Sequence, residues 1–241
     1  MYTLEGCSVK VLILLPTLDE ELALPQVLEA MPNGEMSSKG IEFEVLVVDG
    51  GSEDATLQIA EEAGCTILHQ SSKGKGLGLR LAFEAFLSGN HDRLVMLDAD
   101  ATYDPSDIPV LLKALDAGAD IVIGSRLRGK MEPNAMSHLN YLGNKILTWI
   151  AVCLYGAEVS DICSGYWGFT RKAIETLDLN SVSFEIEAEM YACAALSGLN
   201  VTHVPVSYSN RVGVPKLGSM HDGTRILRKL LTRRFLQRVI K

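Results

Sequence analysis

From Val9 to Arg126 the chain alternates short, unbroken apolar runs with longer stretches of helical period. Val9 to Leu15, Phe43 to Val48, Thr66 to Leu68, Leu94 to Leu97 and Ile121 to Ile123 read as strands. Glu20 to Met31, Asp54 to Ala63, Lys75 to Leu87 and Asp107 to Ala117 read as helices. Runs such as VLILL and VLVV have no polar side, which is what a parallel strand covered by helices on both faces requires. The alternation therefore predicts an α/β fold around a mostly parallel sheet. Each strand ends in a polar cluster: Pro16-Thr17-Leu18-Asp19-Glu20, Asp49-Gly50-Gly51-Ser52, Asp98-Ala99-Asp100 and Gly124-Ser125-Arg126. Open α/β sheets bind ligands at the carboxyl ends of their strands, so the chemistry is expected in these clusters.

After Arg126 the pattern changes to a polar loop, an apolar helix from Leu139 to Tyr155, a Gly-rich piece, a helix from Phe184 to Ser197 and a strand from Val201 to Ser207. This part reads as the acceptor half of one domain spanning residues 1–224. With 241 residues and 47% hydrophobic content the chain can bury one large core. Residues 225–241 differ in character. Arg225, Arg228, Lys229, Arg233, Arg234, Arg238 and Lys241 interleave there with Leu227, Leu230, Leu231, Phe235, Leu236 and Val239, with no acid among them. Such a basic amphipathic helix either lies on an anionic membrane surface or packs its apolar stripe on the domain. On the membrane reading, removing residues 225–241 should reduce membrane association more than nucleotide binding.

The net charge of −8 argues against general nucleic-acid binding. The five cysteines, Cys7, Cys65, Cys153, Cys163 and Cys193, are scattered and contain no C-x-x-C pair, which argues against a disulfide framework and a zinc site. The start MYTLEGCSVK lacks the basic and apolar regions of a secretory signal, and no apolar run reaches the ~18–20 residues of a spanning helix. These features point to a cytoplasmic protein that meets a membrane, if at all, peripherally.

Asp98 and Asp100 follow the buried strand LVML and, in extended geometry, project to the same side. Two hard oxygen ligands at a cleft can hold Mg²⁺ or Mn²⁺ together with a nucleotide diphosphate. The alternative is a solvated turn in which Asp caps a helix. Neither G-x-G-x-x-G after the first strand nor G-x-x-x-x-G-K-[ST] occurs. Gly74-Lys75-Gly76-Leu77-Gly78 follows the third strand, where a helix N-terminus flanked by Lys73 and Lys75 can attract phosphate. Glu185, Glu187 and Glu189 read either as the solvent side of a helix or as acceptor-site acids. His138, His203 and His221 lack metal-ligand spacing.

Taken in order, Val11 to Glu20, Val47-Val48-Asp49-Gly50-Gly51-Ser52-Glu53-Asp54-Ala55-Thr56, Lys73-Gly74-Lys75-Gly76 and Leu97-Asp98-Ala99-Asp100 resemble the inverting GT-A glycosyltransferases. The similarity is greatest to polyprenyl-phosphate (dolichyl-phosphate) mannose and glucose synthases. It continues through Gly124-Ser125-Arg126, Ser164-Gly165-Tyr166-Trp167-Gly168-Phe169 and Asn210-Arg211-Val212-Gly213.

The resemblance implies a GT-A-type fold and a nucleotide-sugar donor, UDP-glucose or GDP-mannose. It implies a polyprenyl or dolichyl phosphate acceptor at the cytoplasmic membrane face and Mg²⁺ or Mn²⁺ as cofactor. Pro16, Thr17, Asp19 and Glu20 would line the nucleotide pocket, with Asp49 reading base or ribose and Lys75 near the phosphates. Asp98 and Asp100 would bind metal and diphosphate, while Arg126, Arg211 and Lys216 would hold phosphates of donor or acceptor. Asp161 would position or activate the acceptor, so that Asp100, Asp161 and Arg126 carry catalysis. Two other functions fit the same motifs: a soluble glycosyltransferase acting on a small phosphorylated acceptor, and a noncatalytic nucleotide-sugar-binding protein.

Overall fold

A computed structural model describes residues 8–213 and 219–236. In chain order it runs β1 (Val9–Thr17), α1 (Leu24–Glu29), α2 (Asn33–Ser38), β2 (Ile41–Asp49), α3 (Thr56–Glu62), β3 (Thr66–His69), α4 (Lys75–Ser88) and β4 (Arg93–Met96). It continues with α5 (Ile108–Asp116), β5 (Ile121–Ser125), α6 (His138–Tyr155), β6 (Trp167–Thr170), α7 (Arg171–Thr176), α8 (Ile186–Leu196), β7 (Val201–Pro205) and α9 (Ser219–Phe235). The strands form one seven-stranded sheet in the order β3-β2-β1-β4-β6-β5-β7. β6 alone among them runs antiparallel to its neighbours, β4 and β5.

The unbroken apolar runs explain the layering. Leu12, Leu14, Leu46, Val48, Leu94 and Met96 point into a core shared with α4, α6, α8 and α9. Their alternates Val11, Ile13, Leu15, Val47, Val95 and Leu97 point into a second core, with α1 and α5. Period-two side-chain alternation thus feeds two cores from one strand. The chain adds β2 and β3 on one side of β1 and then crosses to place β4 on the other. β1 and β4 pair in parallel through Leu14↔Met96, and the Leu97 N–H reaches the Leu14 carbonyl at 3.1 Å. This reversal of strand order opens a crevice at the carboxyl ends of β1 and β4, where both polar clusters emerge.

The structure differs from the sequence expectations at several element ends. α1 begins at Leu24 and not Glu20, because the Glu20 N–H is bound to Thr56 Oγ1 at 2.8 Å in a turn of its own. α5 is preceded by a single 3₁₀ turn, Pro105–Asp107, whose Ser106 N–H is capped by Asp104. The Gly-rich piece contains β6, four residues too short for a periodic signal. α9 starts at Ser219, so the boundary placed at residue 225 falls inside one continuous helix. Its Ile226 and Leu230 are buried in the core shared with α6 and α8. Its Arg233 is buried too and is paired with Glu189 of α8, whereas Arg225, Arg228, Leu231 and Phe235 are exposed. On α6, Leu139, Leu142, Ile146 and Trp149 are each exposed by half or more. No helix among the described residues is long and apolar enough to cross a membrane.

Candidate active site

A cavity of ≈ 330 Å³ occupies the crevice, within the size range of small-molecule sites. Pro16, Thr17 and Glu20 enter it from the end of β1, Asp98 and Asp100 from the end of β4, and Arg126 from the end of β5. Lys75 comes from the first turn of α4, Glu187 from α8, and Tyr208 and Arg211 from the segment after β7.

Each carboxylate in the cavity is held by a cation. Lys75 Nζ lies 2.6 Å from Asp98 Oδ1 and 2.7 Å from Glu187 Oε1. Burial works against the lysine charge, yet Asp98 and then Glu187 outweigh it and hold its pKa well above the ordinary lysine value. Burial pushes the Glu187 pKa up, against the pull of Lys75. Arg211 forms the other bridge, with Nη1 2.6 Å from Asp100 Oδ2 and Nη2 2.8 Å from Glu20 Oε1. Asp100 Oδ1 accepts from the Thr102 N–H at 3.1 Å and the Thr102 hydroxyl at 2.5 Å, which fixes its rotamer. The two aspartates therefore share the cavity but turn to different cations.

Room for Asp98 depends on Gly165, since a Cβ there would sit 2.1 Å from Asp98 Oδ2. The Gly165 N–H donates to the Tyr103 hydroxyl at 2.7 Å, which fixes this turn against the sheet. Behind the cavity, fully buried Asp161 grips Arg126 in a bidentate pair, Oδ2 to Nε at 2.7 Å and Oδ1 to Nη2 at 2.7 Å. The Tyr208 ring covers the guanidinium at 5.2 Å. Burial disfavours the charge of Arg126, but Asp161 reverses that and keeps the guanidinium protonated far above neutral pH. Clamped on one edge and one face, the guanidinium is preorganised for an anion.

Of the residues singled out from sequence, Pro16, Thr17, Glu20, Lys75, Asp98, Asp100, Arg126 and Arg211 come together in the cavity. Asp19, Asp49 and Asp161 do not line it. Asp19 is exposed at φ 48° and joins two loops, its carboxylate accepting from the Glu53 N–H at 2.8 Å. Asp49 is buried and organises the turn after β2 by accepting from the Gly51 and Ser52 N–H groups, each at 3.0 Å. Asp161 has no cavity surface with which to meet an acceptor and touches Arg126 instead. Lys216 lies outside the described residues. Of the three acids read either as a solvent-facing side or as acceptor-site acids, Glu187 and Glu189 are buried, and Glu187 lines the cavity. α8 is apolar on every side, and acids in such a helix must face inward and be partnered, a signal that was present in the sequence.

The donor set suits a hard divalent cation. Two aspartates face one cavity, and among the described residues no group of three or more His, Cys, Asp or Glu forms a complete cage. A metal shared with diphosphate oxygens needs only one or two protein carboxylates, so the residues present fit Mg²⁺ or Mn²⁺.

Residues 12–178 match the family described as Glycosyl transferase family 2. The chain belongs to that family. It is 41% identical over 167 residues to glycosyltransferase AglJ of Haloferax volcanii, covering 69% of this chain and 54% of AglJ. The chain thus spans about half the length of that curated relative. It is 31% identical over 219 residues to the undecaprenyl-phosphate mannosyltransferase of Micrococcus luteus, covering 84% of each. Its fold matches glucosyl-3-phosphoglycerate synthase of Mycobacterium tuberculosis, solved with Mn²⁺, UDP and glucosyl-3-phosphoglycerate. The TM-score is 0.73 at 18% identity, over 94% of this chain and 80% of that one. The expected GT-A-type α/β architecture, with its mostly parallel sheet, is the one observed.

Proposed function

We propose that this family 2 chain transfers a hexose with inversion from a nucleotide sugar, UDP-glucose or GDP-mannose, to a polyprenyl or dolichyl phosphate. The transfer would take place peripherally at the cytoplasmic face of a membrane. The observation that carries this reading is the division of the cavity. Asp98 and Asp100 enter at the end of β4 and would serve a metal–diphosphate, whereas Arg126, clamped by Asp161, enters at the end of β5, two strands away, and would serve a phosphate. The exposed apolar stripe of α6, the exposed basic residues Arg225 and Arg228 of the neighbouring α9, and the lipid-phosphate name of the Micrococcus relative favour a lipid carrier.

The chain's own residues would act by holding and orienting. Arg211 and Lys75 are paired with carboxylates in the structure and would exchange these partners for diphosphate oxygens as the donor enters. A divalent cation held by Asp98 and Asp100 would neutralise the charge that develops on the leaving diphosphate. Arg126 would aim an acceptor phosphate oxygen at the anomeric carbon, where one C–O bond forms as the bond to the diphosphate breaks. A phosphate monoester is already anionic near neutral pH, so no proton has to be removed. Positioning and electrostatics would carry the rate.

The test is calorimetric titration with UDP-glucose and GDP-mannose, with Mn²⁺ or EDTA, followed by transfer assays on polyprenyl phosphate in detergent and on 3-phosphoglycerate in buffer. Metal-dependent binding of one donor, abolished by Asp100→Ala, with transfer only to the lipid phosphate, is the expected outcome. Transfer to 3-phosphoglycerate alone would replace the lipid acceptor with a soluble one. A folded protein that binds neither donor would sink the reading.

A further inference from the structure

Asp161 holds the guanidinium that lines the cavity, yet its hydrogen bonding is completed by a helix that contributes no lining residue among those described. Oδ2 accepts from the Arg126 N–H at 3.0 Å and from Nε at 2.7 Å. Oδ1 accepts from Nη2 at 2.7 Å and from Asn144 Nδ2 of α6 at 2.6 Å. A carboxylate offers about four acceptor sites, so those of Asp161 are filled. Asn144 is held in turn. Its Oδ1 accepts from the Thr148 hydroxyl at 3.3 Å, and Thr148 Oγ1 accepts from the Ile162 N–H at 3.1 Å. Because the Ile162 N–H supplies Thr148 with a donor, the hydroxyl proton is directed to Asn144. This fixes which end of the amide meets Asp161.

The same helix has two faces. Asn144, Thr148 and Ala151 are buried, and Leu139, Leu142, Ile146 and Trp149 are exposed. We infer that Asn144 is a positioning residue: it ties α6 to Asp161, so the set of the Arg126 guanidinium in the cavity depends on the seating of α6. Without the Asn144 amide, Asp161 Oδ1 keeps only Nη2, and the carboxylate gains freedom to rotate with the guanidinium it carries. The functional consequence rests on the proposed role of Arg126 as the acceptor-phosphate ligand, whereas the positioning itself does not.

Two readouts separate these. The first needs no substrate: the ¹⁵N-labelled Arg126 Nε–H resonance, identified by its loss in Arg126→Lys. In Asn144→Ala its exchange with water should quicken about tenfold, in line with one lost charge-assisted hydrogen bond, while the remaining amide spectrum is retained. Thr148→Val, which removes the hydroxyl that orients Asn144 and accepts from the Ile162 N–H but keeps the Asn144 amide, should shift it less and serves if Asn144→Ala does not fold. An unchanged Arg126 resonance in the folded variants overturns the inference, whatever the protein's substrate. The second readout is kinetic. Asn144→Ala should raise the polyprenyl phosphate KM about tenfold and leave nucleotide affinity unchanged, and its effect should vanish in an Arg126→Lys background. Full additivity of Asn144→Ala with Arg126→Lys would refute action through Arg126. A wild-type protein inactive on polyprenyl phosphate but showing the resonance change would refute the acceptor assignment and leave the positioning role standing.

Discussion

Replacing Gly165 by alanine tests whether Asp98 has to occupy its observed position. The added methyl would stand 2.1 Å from Asp98 Oδ2, 2.6 Å from Cγ and 3.0 Å from Oδ1, against 3.4 Å or more for ordinary contact. Because the carboxylate carbon and both oxygens are crowded, rotation of the carboxylate alone gives no escape, and the group must move by more than about 1 Å. That displacement breaks the 2.6 Å pair with Lys75 and carries away one of the two candidate metal ligands. A misplacement of this size costs about 10²-fold in rate. Stability should suffer far less, about 1 kcal/mol or a Tm change of ~2–4 °C, since Asp98 is partly exposed and can yield. Gly143→Ala is the control. A methyl there meets nothing within 4 Å, and the helix should gain about 0.5–1 kcal/mol with binding intact. The assay is metal-dependent nucleotide-sugar titration with kcat/KM and thermal melts. Folded Gly165→Ala with wild-type metal-dependent affinity and turnover would refute the assignment of Asp98.

Two further expectations concern α9. Arg233→Ala removes the cation that donates through Nε at 2.7 Å to buried Glu189 and should cost about 3 kcal/mol in urea unfolding, leaving Lys229 at 3.2 Å and the Asn180 and Ser181 N–H groups as partners of the carboxylate. Burial opposes the Glu189 charge, but the Ser181 hydrogen bond and then Arg233 outweigh it and lower its pKa from 4.5. The stabilisation is therefore present above pH 4.5 and lost as the pH falls through the lower folded value, so the deficit of Glu189→Gln relative to wild type should shrink on acidification. Arg225→Gln with Arg228→Gln changes only exposed positions and removes two cations, each worth ~1 kcal/mol at an anionic surface, so binding to phosphatidylglycerol vesicles should fall about thirtyfold without a change in Tm. Unchanged vesicle binding would count against membrane association through α9. These point variants replace deletion of residues 225–241, which would also remove Ile226, Leu230 and Arg233 from the core.

The sequence by itself determined the parallel strands of the sheet, their burial between two helical layers and the place of the chemistry, while the antiparallel β6 left no periodic signal. Unbroken apolar runs can be buried only between two helical layers, and their carboxyl ends carried Thr17, Glu20, Asp98, Asp100 and Arg126 into one crevice. The ordered motifs were specific enough to indicate the family. What only the tertiary structure decided were contacts between residues far apart in the chain. Arg211 reaches Glu20, Lys75 reaches both Asp98 and Glu187, and Asn144 reaches Asp161, none of them within helical or strand reach of its partner. Local periodicity reports which side of an element is apolar, not which charge waits opposite. Asp161 was accordingly read as positioning or activating the acceptor, with no sign that it is buried against Arg126. For the same reason, the cations of α9 read as one basic face from their spacing. Folding divides them, turning Arg233 inward to neutralise Glu189 and leaving Arg225 and Arg228 in water, because a buried carboxylate needs a partner and an exposed arginine does not.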